Sequence, residues 1–569
     1  MVERTSVRLR ERVSGWCRIG WRYGMRAFAQ FSTAGLLLGT LFFAFSLTPS
    51  LLPRPFVVQG VLAGLSFTAG YALGFMARWL WSYLELPVPG GRIERTIKLG
   101  ATAFCLLVAA VFLWRASEWQ NSVRTLMGMD EAAGVQPLGV GLIALAMFAV
   151  ALVLARLFWL TYVFLSGKLQ RLVPRRVSNV AGVLVAIALF WSVVDGVIFT
   201  LALRAADNSY QQLDVLMQDD VQPPDDPAVT GGAESLISWE DLGGRGRRFV
   251  TSGPTAEEIS DFHGEDVPEP IRVYVGLNAA ETPEERARLA LDELRRVDAF
   301  DRSVLFLATP TGRGWVDPAA QDPVEYIHRG DTATVTAQYS YLPSPLSLMV
   351  EGEYGTETAR ALFEKVYGYW SELPEDERPD LYLHGLSLGA LNSDRSFDVY
   401  DIIDDPFDGA LWSGPPFRSE TWRTVTRSRD PESPAWLPRF RGGSVVRFMN
   451  QHQGLDEADS DWGPFRIAFL QYASDPVTFF DPQSFYTEPD WMREPRGPDV
   501  SPDLRWFPVV TMLQLAADMG VSTEPTGYGH EYAAEHYIDA WVALTEPEDW
   551  NESDTERLRD EYATSPVPQ

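Results

Sequence analysis

The feature that most constrains this chain is a series of long apolar runs confined to its first 204 residues. Crossing a bilayer as a helix takes roughly 20 largely apolar residues. The sequence therefore predicts a transmembrane helical domain of about five spans over residues 1–204. A cleaved signal peptide is the alternative interpretation of the first run, but four more runs follow it. The runs cover Ala27–Pro53, Pro55–Ala77, Leu99–Trp114, Ala132–Ala155 and Val177–Val194, the last continuing past Asp195 to Leu203.

Basic residues cluster on alternate loops of this region. They precede the first run, separate the second from the third, and separate the fourth from the fifth. Because cytoplasmic loops carry an excess of Lys and Arg, the pattern predicts a cytoplasmic N-terminus. Five crossings then predict a multi-pass membrane protein in which the rest of the chain lies outside the cytoplasm. If the short third run does not cross the membrane, the rest of the chain would instead lie in the cytoplasm.

Two glycine pairs in the second run, Gly60 with Gly64 and Gly70 with Gly74, have the spacing that allows close helix packing in membranes. Asp195 is the only acidic residue well inside a predicted span. Such a carboxyl group is expected to pair with a neighbouring helix or to reach the headgroups.

The remainder of the chain is strongly acidic. Residues 1–204 carry 20 Lys and Arg against 8 Asp and Glu, a balance of +12, whereas residues 205–569 carry 28 against 68, a balance of −40. A surface this negative argues against nucleic acid as a partner. Both cysteines, Cys17 and Cys105, lie in the apolar part. Disulfides and thiolate zinc sites are therefore not expected in the acidic part, and no motif for a metal or cofactor is found there.

Residues 205–235 have the composition of a charged, proline-rich linker. From residue 236 to 569, short apolar strands alternate with helical segments, one of which opens with a capping box at Thr282–Glu285. Such alternation predicts an α/β fold with a mostly parallel sheet flanked by helices. Two aromatic-rich segments, Pro415–Leu437 and Phe479–Trp506, are candidates for a cap over a pocket or for ordinary insertions.

One strand runs directly into Gly385-Leu386-Ser387-Leu388-Gly389. A Gly-x-Ser-x-Gly pattern between a strand and a helix is typical of a nucleophile elbow, which exposes a serine hydroxyl at the end of a sheet. Ser387 is therefore the candidate nucleophile, with a purely structural turn as the alternative.

A serine nucleophile needs a base and an acid, which follow it in the order acid, then histidine, in α/β-hydrolases. Asp475 follows an apolar strand, and His530 lies in a glycine-rich loop before a helix. We therefore predict a Ser387–Asp475–His530 triad. Asp461 and Asp481 are alternative acids, His452 and His536 are alternative bases, and His384 either lines the pocket or packs in the core.

An oxyanion needs backbone N–H donors. The N–H of Leu388, which follows the nucleophile, is one candidate. The loop after the strand Val304–Ala308 offers a second, from Thr309 or Thr311, because Pro310 has no N–H. An ordinary glycine-containing turn is the alternative for this loop.

Three segments together resemble a bacterial, mostly actinobacterial, family of membrane-anchored α/β-hydrolases. They are Thr309–Asp317, the elbow, and Gly409–Phe417; the stretch Ser46–Arg54 resembles the membrane domain of the same family. The resemblance covers nearly the whole chain and implies a serine hydrolase without a settled substrate. Leu386 departs from the polar residue that many hydrolases place before the serine, which makes that wall of the site more apolar.

These observations predict a membrane-anchored serine hydrolase that acts on acyl esters, with lipid or envelope-linked esters as the expected substrate class. No cofactor is expected. Two alternatives stay open: an acyltransferase that uses the same triad, and a non-enzymatic membrane protein in which the hydrolase fold docks or senses.

Overall fold

The computed structural model describes residues 31–193 and 222–564, except 89, 133–135, 172, 343, 345–346, 348–352, 457 and 522–524. The chain divides into two compact units. We call the first the helical unit; it holds the chain up to Leu160 together with Pro482–Glu488 and Asp503–Asp518. The second, the sheet unit, holds Thr161–Asp481, Pro489–Pro502 and Met519–Gln569.

The apolar region forms five helices in the described residues, of which four are long and apolar enough to cross a membrane. The third helix, expected to be short, has 35 residues because its apolar centre is extended at both ends by polar turns. The first is instead the short one, with 14 residues, and ends just before Pro49. Asp195 and the end of the fifth run lie outside the described residues. The helices are α1 (Thr33–Ser46), α2 (Phe56–Tyr83), α3 (Arg92–Leu126), α4 (Pro137–Leu169) and α5 (Arg175–Val193).

The glycine pairs of α2 are helix contacts, as their spacing predicts. A Cβ atom on Gly60 would lie 2.7 Å from Cβ of Ile143 on α4, and one on Gly64 would lie 2.6 Å from Cβ of Met147. The other pair faces α1, where a Cβ on Gly74 would lie 2.4 Å from the carbonyl oxygen of Ala34. Each pair thus lets one neighbouring helix approach the α2 backbone closely.

A buried ion pair holds the C-terminal segment of the helical unit. Nε of Arg54 lies 3.0 Å from Oδ1 of Asp518, and both side chains have no exposed surface. The same carboxylate accepts hydrogen bonds from the Ser50 hydroxyl and from the Leu51 N–H. Residues 482–488 and 503–518 therefore fold with the turn between α1 and α2, although part of this sequence was a candidate cap.

Seven strands form one parallel sheet in the sheet unit, in the order β1-β3-β2-β4-β5-β7-β6. This confirms the predicted α/β architecture. The register sets Leu386 of β4 beside Ser413 of β5, and Ser413 beside Leu470 of β7, so three strands end in one row. The strands are β1 (Ile271–Val275), β2 (Val304–Thr309), β3 (Thr332–Ala337), β4 (Asp380–Leu386), β5 (Gly409–Ser413), β6 (Val446–Met449) and β7 (Arg466–Leu470).

Helices cover the sheet, and the predicted capping box at Thr282 opens one of them. The buried core joins residues of the central strands, such as Phe306 and Leu411, to Trp541. The remaining helices are α6 (Gly243–Thr251), α7 (Ala256–His263), α8 (Pro283–Arg296), α9 (Pro318–Ile327), α10 (Tyr354–Trp370), α11 (Leu388–Asp394), α12 (Val399–Ile402), α13 (Glu420–Arg427), α14 (Pro476–Phe479), α15 (Val510–Met519), α16 (Ala534–Thr545) and α17 (Glu552–Thr564).

The end of the predicted linker packs against the sheet unit. The Thr230 hydroxyl donates to the carbonyl oxygen of Arg272 at 3.1 Å, and the Arg296 guanidinium donates to the carbonyl oxygen of Pro227 at 2.9 Å. Residues 205–221 of the linker lie outside the described residues.

Candidate active site

Ser387 stands on a sharp turn between β4 and α11. Its φ of 57° and ψ of −120° are unusual for a residue with a side chain. The turn is held because the Ser387 N–H donates to the carbonyl oxygen of Ser413 at the end of β5, at 2.9 Å. This strained strand–turn–helix is the geometry that a nucleophile elbow requires.

The two glycines of the pentapeptide leave no room for a side chain. A Cβ on Gly385 would lie 2.3 Å from the carbonyl carbon of Gly389. A Cβ on Gly389 would lie 2.2 Å from the carbonyl oxygen of Thr309, the last residue of β2. Glycine at both positions therefore permits the helix to start against the strand ends.

Asp475 follows β7 and is fully buried. Its Oδ1 accepts the N–H groups of Val477 at 2.7 Å and Thr478 at 3.3 Å, so the carboxylate caps the N-terminus of α14. Its Oδ2 lies 2.8 Å from Nδ1 of His530. The structure thus brings the predicted acid and the predicted base into direct contact.

The loop that carries His530 is fixed on both sides of the histidine. The Gly529 N–H donates to the Ser474 hydroxyl at 2.9 Å, and the Gln451 amide donates to the Gly527 carbonyl oxygen at 3.0 Å. Gly527 and Gly529 both have positive φ, which explains the glycines that bracket the histidine loop.

The end of β5 is a shared neighbour of the serine turn and the histidine. Ser413 accepts the Ser387 N–H, and a Cβ on the next residue, Gly414, would lie 2.7 Å from Cε1 of His530. The register of β4, β5 and β7 places the residues that follow them at one edge of the sheet. In open α/β sheets, ligands bind at this edge.

The alternative acids and bases lie in other surroundings. Asp461 and His452 are exposed, and Asp481 is half-buried. Nδ1 of His536 instead lies 2.6 Å from the hydroxyl oxygen of Tyr472. His384 is a core residue, since its Nδ1 lies 2.9 Å from the Leu411 carbonyl oxygen and its ring packs against Tyr537 and Trp541.

The candidate oxyanion donors differ in what they already bind. Leu388 is the first residue of α11, and an N–H at this position has no partner within the helix. The Thr311 N–H is already committed, because it donates to the Trp315 carbonyl oxygen at 2.9 Å within the loop. Thr309 is the last residue of β2 and lies in register with Gly385 of β4, so it stays a candidate at the strand end that touches Gly389.

Burial and charge shift the titration of His530 in opposite directions. Burial lowers its pKa, but the negative charge of Asp475 and the hydrogen bond between the two side chains outweigh burial and raise it. Asp317 and Glu531 raise it further. The imidazole therefore holds a proton to a higher pH than a free histidine does.

A cavity of about 450 Å³ adjoins the histidine loop and is lined by Trp315, Asp317, Glu531 and Tyr532, among others. Burial, opposed by the Ala319 N–H and aided by Glu531, raises the pKa of Asp317 to about 7. This carboxyl group therefore keeps its proton to a higher pH than a free aspartic acid does. Among the described residues, no three His, Cys, Asp or Glu side chains converge as a metal site.

Two residues around Asp475 had no signal in the sequence. The Tyr532 hydroxyl donates to Asp475 Oδ2 at 2.7 Å, and the Thr478 hydroxyl donates to the same oxygen at 3.1 Å. Both are close in sequence to a predicted site residue. Their direction toward Oδ2 depends on how two separate loops meet.

Comparison with known proteins agrees with this architecture. A family described as "Alpha/beta-hydrolase family" matches residues 271–558, which is more than half of the chain. The chain belongs to this family. The N-terminal domain of the same family, described as "Alpha/beta-hydrolase family N-terminus", matches residues 47–254 of the hydrolase. No match was found among curated proteins or among solved structures.

Proposed function

We propose that this hydrolase cleaves acyl esters through a covalent intermediate on Ser387. The observation that carries the proposal is the contact between His530 and the buried Asp475, made beside the strand end that also holds the Ser387 turn. A serine hydroxyl is a weak nucleophile until an adjacent base accepts its proton, and the base must be held in one tautomer.

The contacts assign a role to each group. Asp475 binds Nδ1 of His530, so Nε2 is the nitrogen left to take the Ser387 proton. As Ser387 Oγ bonds to the ester carbonyl carbon, the N–H of Leu388 would stabilise the oxyanion. The imidazolium then gives its proton to the leaving alcohol. Water, deprotonated by His530, releases the acid and restores the serine.

Lipid or envelope-linked esters are the substrate class that we propose. Within the described residues, four helices are long and apolar enough to cross a membrane. A tethered site meets bilayer-embedded esters at a higher effective concentration than a free enzyme would. A substrate in the same bilayer is therefore favoured over a soluble ester.

We further propose that the catalytic region lies outside the cytoplasm. The loop between α2 and α3 and the loop between α4 and α5 are flanked by basic residues, including Arg92, Arg95, Lys168 and Arg171. The loop between α3 and α4 is flanked by fewer basic residues, Arg115 and Arg124. The positive-inside rule then starts α5 in the cytoplasm and ends it outside. This assignment depends on the loops that flank α3 to α5, so the short α1 does not reverse it.

The test is ester turnover by the full chain in lipid nanodiscs, with Ser387→Ala as the control. We expect hydrolysis of a short-chain nitrophenyl ester to fall by roughly 10³-fold or more in the variant, because the nucleophile is lost. Activity that survives Ser387→Ala would refute the proposal. An added alcohol acceptor that captures the acyl group in place of water would identify the protein as an acyltransferase, and a wild-type chain inactive on all esters would favour a docking or sensing role.

A further inference from the structure

Two segments from the C-terminal half of the chain belong to the helical unit. They are Pro482–Glu488, which begins seven residues after Asp475, and Asp503–Asp518. The helical unit, which contains the candidate membrane-spanning helix α2, thus also contains two segments that lie between Asp475 and His530 in the sequence.

These segments contact the end of α1 and the turn that follows it. The ring of Phe507 stacks on that of Phe45, with centroids 3.8 Å apart and planes 8° from parallel. The Gln514 side-chain amide donates to the Thr48 carbonyl oxygen at 3.2 Å. With the buried pair of Arg54 and Asp518, these contacts fix residues 503–518 at one end of the helices.

The same segment holds residues 484 and 485. The Trp506 indole N–H donates to the Ser484 carbonyl oxygen at 2.9 Å, and the Val509 N–H donates to the Phe485 carbonyl oxygen at 2.8 Å. We call Phe485, Tyr486, Trp506 and Phe507 the aromatic collar.

Two rings of the collar are exposed: Phe485 keeps 45% of its surface accessible and Tyr486 keeps 66%. The contacts above place them near the turn between α1 and α2, and α2 begins its span at Phe56. A turn at the start of a spanning helix lies where hydrocarbon meets headgroups. Aromatic side chains with a polar edge are enriched at that depth.

We propose that the aromatic collar is a bilayer contact that lies in the headgroup layer beside the turn between α1 and α2. The occupant of this exposed surface is then the lipid surface itself, which continues from the lipid-facing side of α2. The contact does not depend on hydrolysis. Its second role, which is to favour lipid esters over soluble esters, rests on the proposed function.

Site-specific fluorescence quenching tests the contact. In a Cys17→Ser/Cys105→Ala background, a bimane label is placed at Phe485→Cys or Tyr486→Cys in full-length protein in phosphatidylcholine nanodiscs. We expect lipids with a headgroup nitroxide to quench both of these labels more strongly than a label at residue 400, because interfacial aromatic positions lie at the headgroup level. Tyr400→Cys, at an 85% exposed aromatic of the sheet unit, is the reference label with which quenching at residues 485 and 486 is compared.

A label at Leu106→Cys is the reference for a position in the hydrocarbon, because Leu106 is 67% exposed on α3. Lipids with a chain-linked nitroxide should quench this label. Quenching at residues 485 and 486 no greater than at residue 400 would overturn the proposal. So would stronger quenching by the chain-linked nitroxide than by the headgroup nitroxide, since the collar would then lie in the hydrocarbon.

Kinetics test the second role. Phe485→Ser/Tyr486→Ser should lower turnover of a nanodisc-embedded ester about 3–10-fold and leave a soluble short-chain ester unchanged, because only the first substrate is presented by the bilayer. Equal losses on both esters would overturn this role. If Ser387→Ala retains full activity, the proposed function fails while the quenching result stands, so the two failures are distinguishable.

Discussion

The hydroxyl of Tyr532 donates to Oδ2 of Asp475 at 2.7 Å, and this is the same oxygen that lies 2.8 Å from His530 Nδ1. Tyr532 therefore shares the carboxylate charge that would otherwise act on the histidine alone. The Thr478 hydroxyl, at 3.1 Å, is a third neighbour of that oxygen.

Tyr532→Phe should move the acidic limb of the activity profile to higher pH. Without the phenol, more negative charge on Oδ2 faces His530, so the pKa of the imidazole rises further and the neutral base is lost at a higher pH. A hydrogen bond to a charged group contributes about 1.5–3 kcal/mol, part of which depends on the histidine charge, so we expect a shift of about 0.5–1 pH unit. The measurement is kcat/KM against pH, with Asp475, Glu531 and Asp317 retained as the other charged groups that act on His530.

Tyr472→Phe is the matched control for that variant. The Tyr472 ring stacks on Tyr532 with centroids 4.4 Å apart, but its hydroxyl accepts the Ala533 N–H and contacts His536. Tyr472→Phe should therefore leave the acidic limb of the activity profile in place. Thr478→Val should move that limb in the same direction as Tyr532→Phe. A uniform loss at every pH for Tyr532→Phe would mean that the residue is only structural.

The pH dependence of wild-type activity should itself reflect the raised pKa of His530. Because the pKa of His530 is raised, activity should be low below the ordinary histidine range and should rise with pH through a midpoint above about 6.5. A midpoint at or below that value, measured as kcat/KM on a soluble ester, would contradict the assignment of His530 as the paired base.

Gly414→Ala should impair the site without unfolding the sheet. The added Cβ would lie 2.7 Å from His530 Cε1, and φ of 50° disfavours a side chain at this position. We expect kcat/KM to fall by about 10²-fold, because a displacement of about 1 Å can have that effect on an aligned base. Gly368→Ala is the control: it lies in α10 with no atom within 4 Å of the new Cβ and should keep full activity. Normal activity in Gly414→Ala would show that His530 does not use this position.

Loss of either partner of the Arg54–Asp518 pair should destabilise the helical unit strongly. Removing one partner leaves a buried charge unpaired, which costs about 3–5 kcal/mol of the free energy of unfolding. Arg54→Met and Asp518→Leu should each lower the melting temperature in detergent, and the double variant Arg54→Met/Asp518→Leu should cost less than the sum of these two single changes.

Glu118→Gln is the reference for that series, because its ion pair with Arg115 is exposed and contributes about 0–1 kcal/mol. If the double variant equals the sum of the single ones, the two side chains do not stabilise each other in the fold.

The sheet was predictable where strands are continuously apolar. The segments around Val304, Leu381 and Ile467 became β2, β4 and β7 because buried parallel strands are apolar on both faces. The strand β3, Thr332–Ala337, had no such signal, since three threonines alternate along it although all six of its residues are buried. In this strand the buried environment accommodates hydroxyl groups, and alternation alone would suggest an exposed face.

The candidate site was predictable to the extent that local motifs carry it. The elbow turn of Ser387 and the contact of Asp475 with His530 follow from a short motif and from strand order. Tyr532 could not be assigned, because its bond to Asp475 depends on the meeting of loops 57 residues apart. The short α1 could not be bounded either, since its apolar run continues past Ser46 into a turn that still contains Leu47, Leu51 and Leu52.

Reaction of the full-length protein with a fluorophosphonate, followed by mass mapping of the adduct, tests the central claim most directly. The account predicts one phosphonylated peptide, carrying the adduct on Ser387, with labelling slowed by at least about 10³-fold in His530→Ala because the base is lost. An adduct on a different serine, or labelling of Ser387 at the same rate without His530, would contradict it.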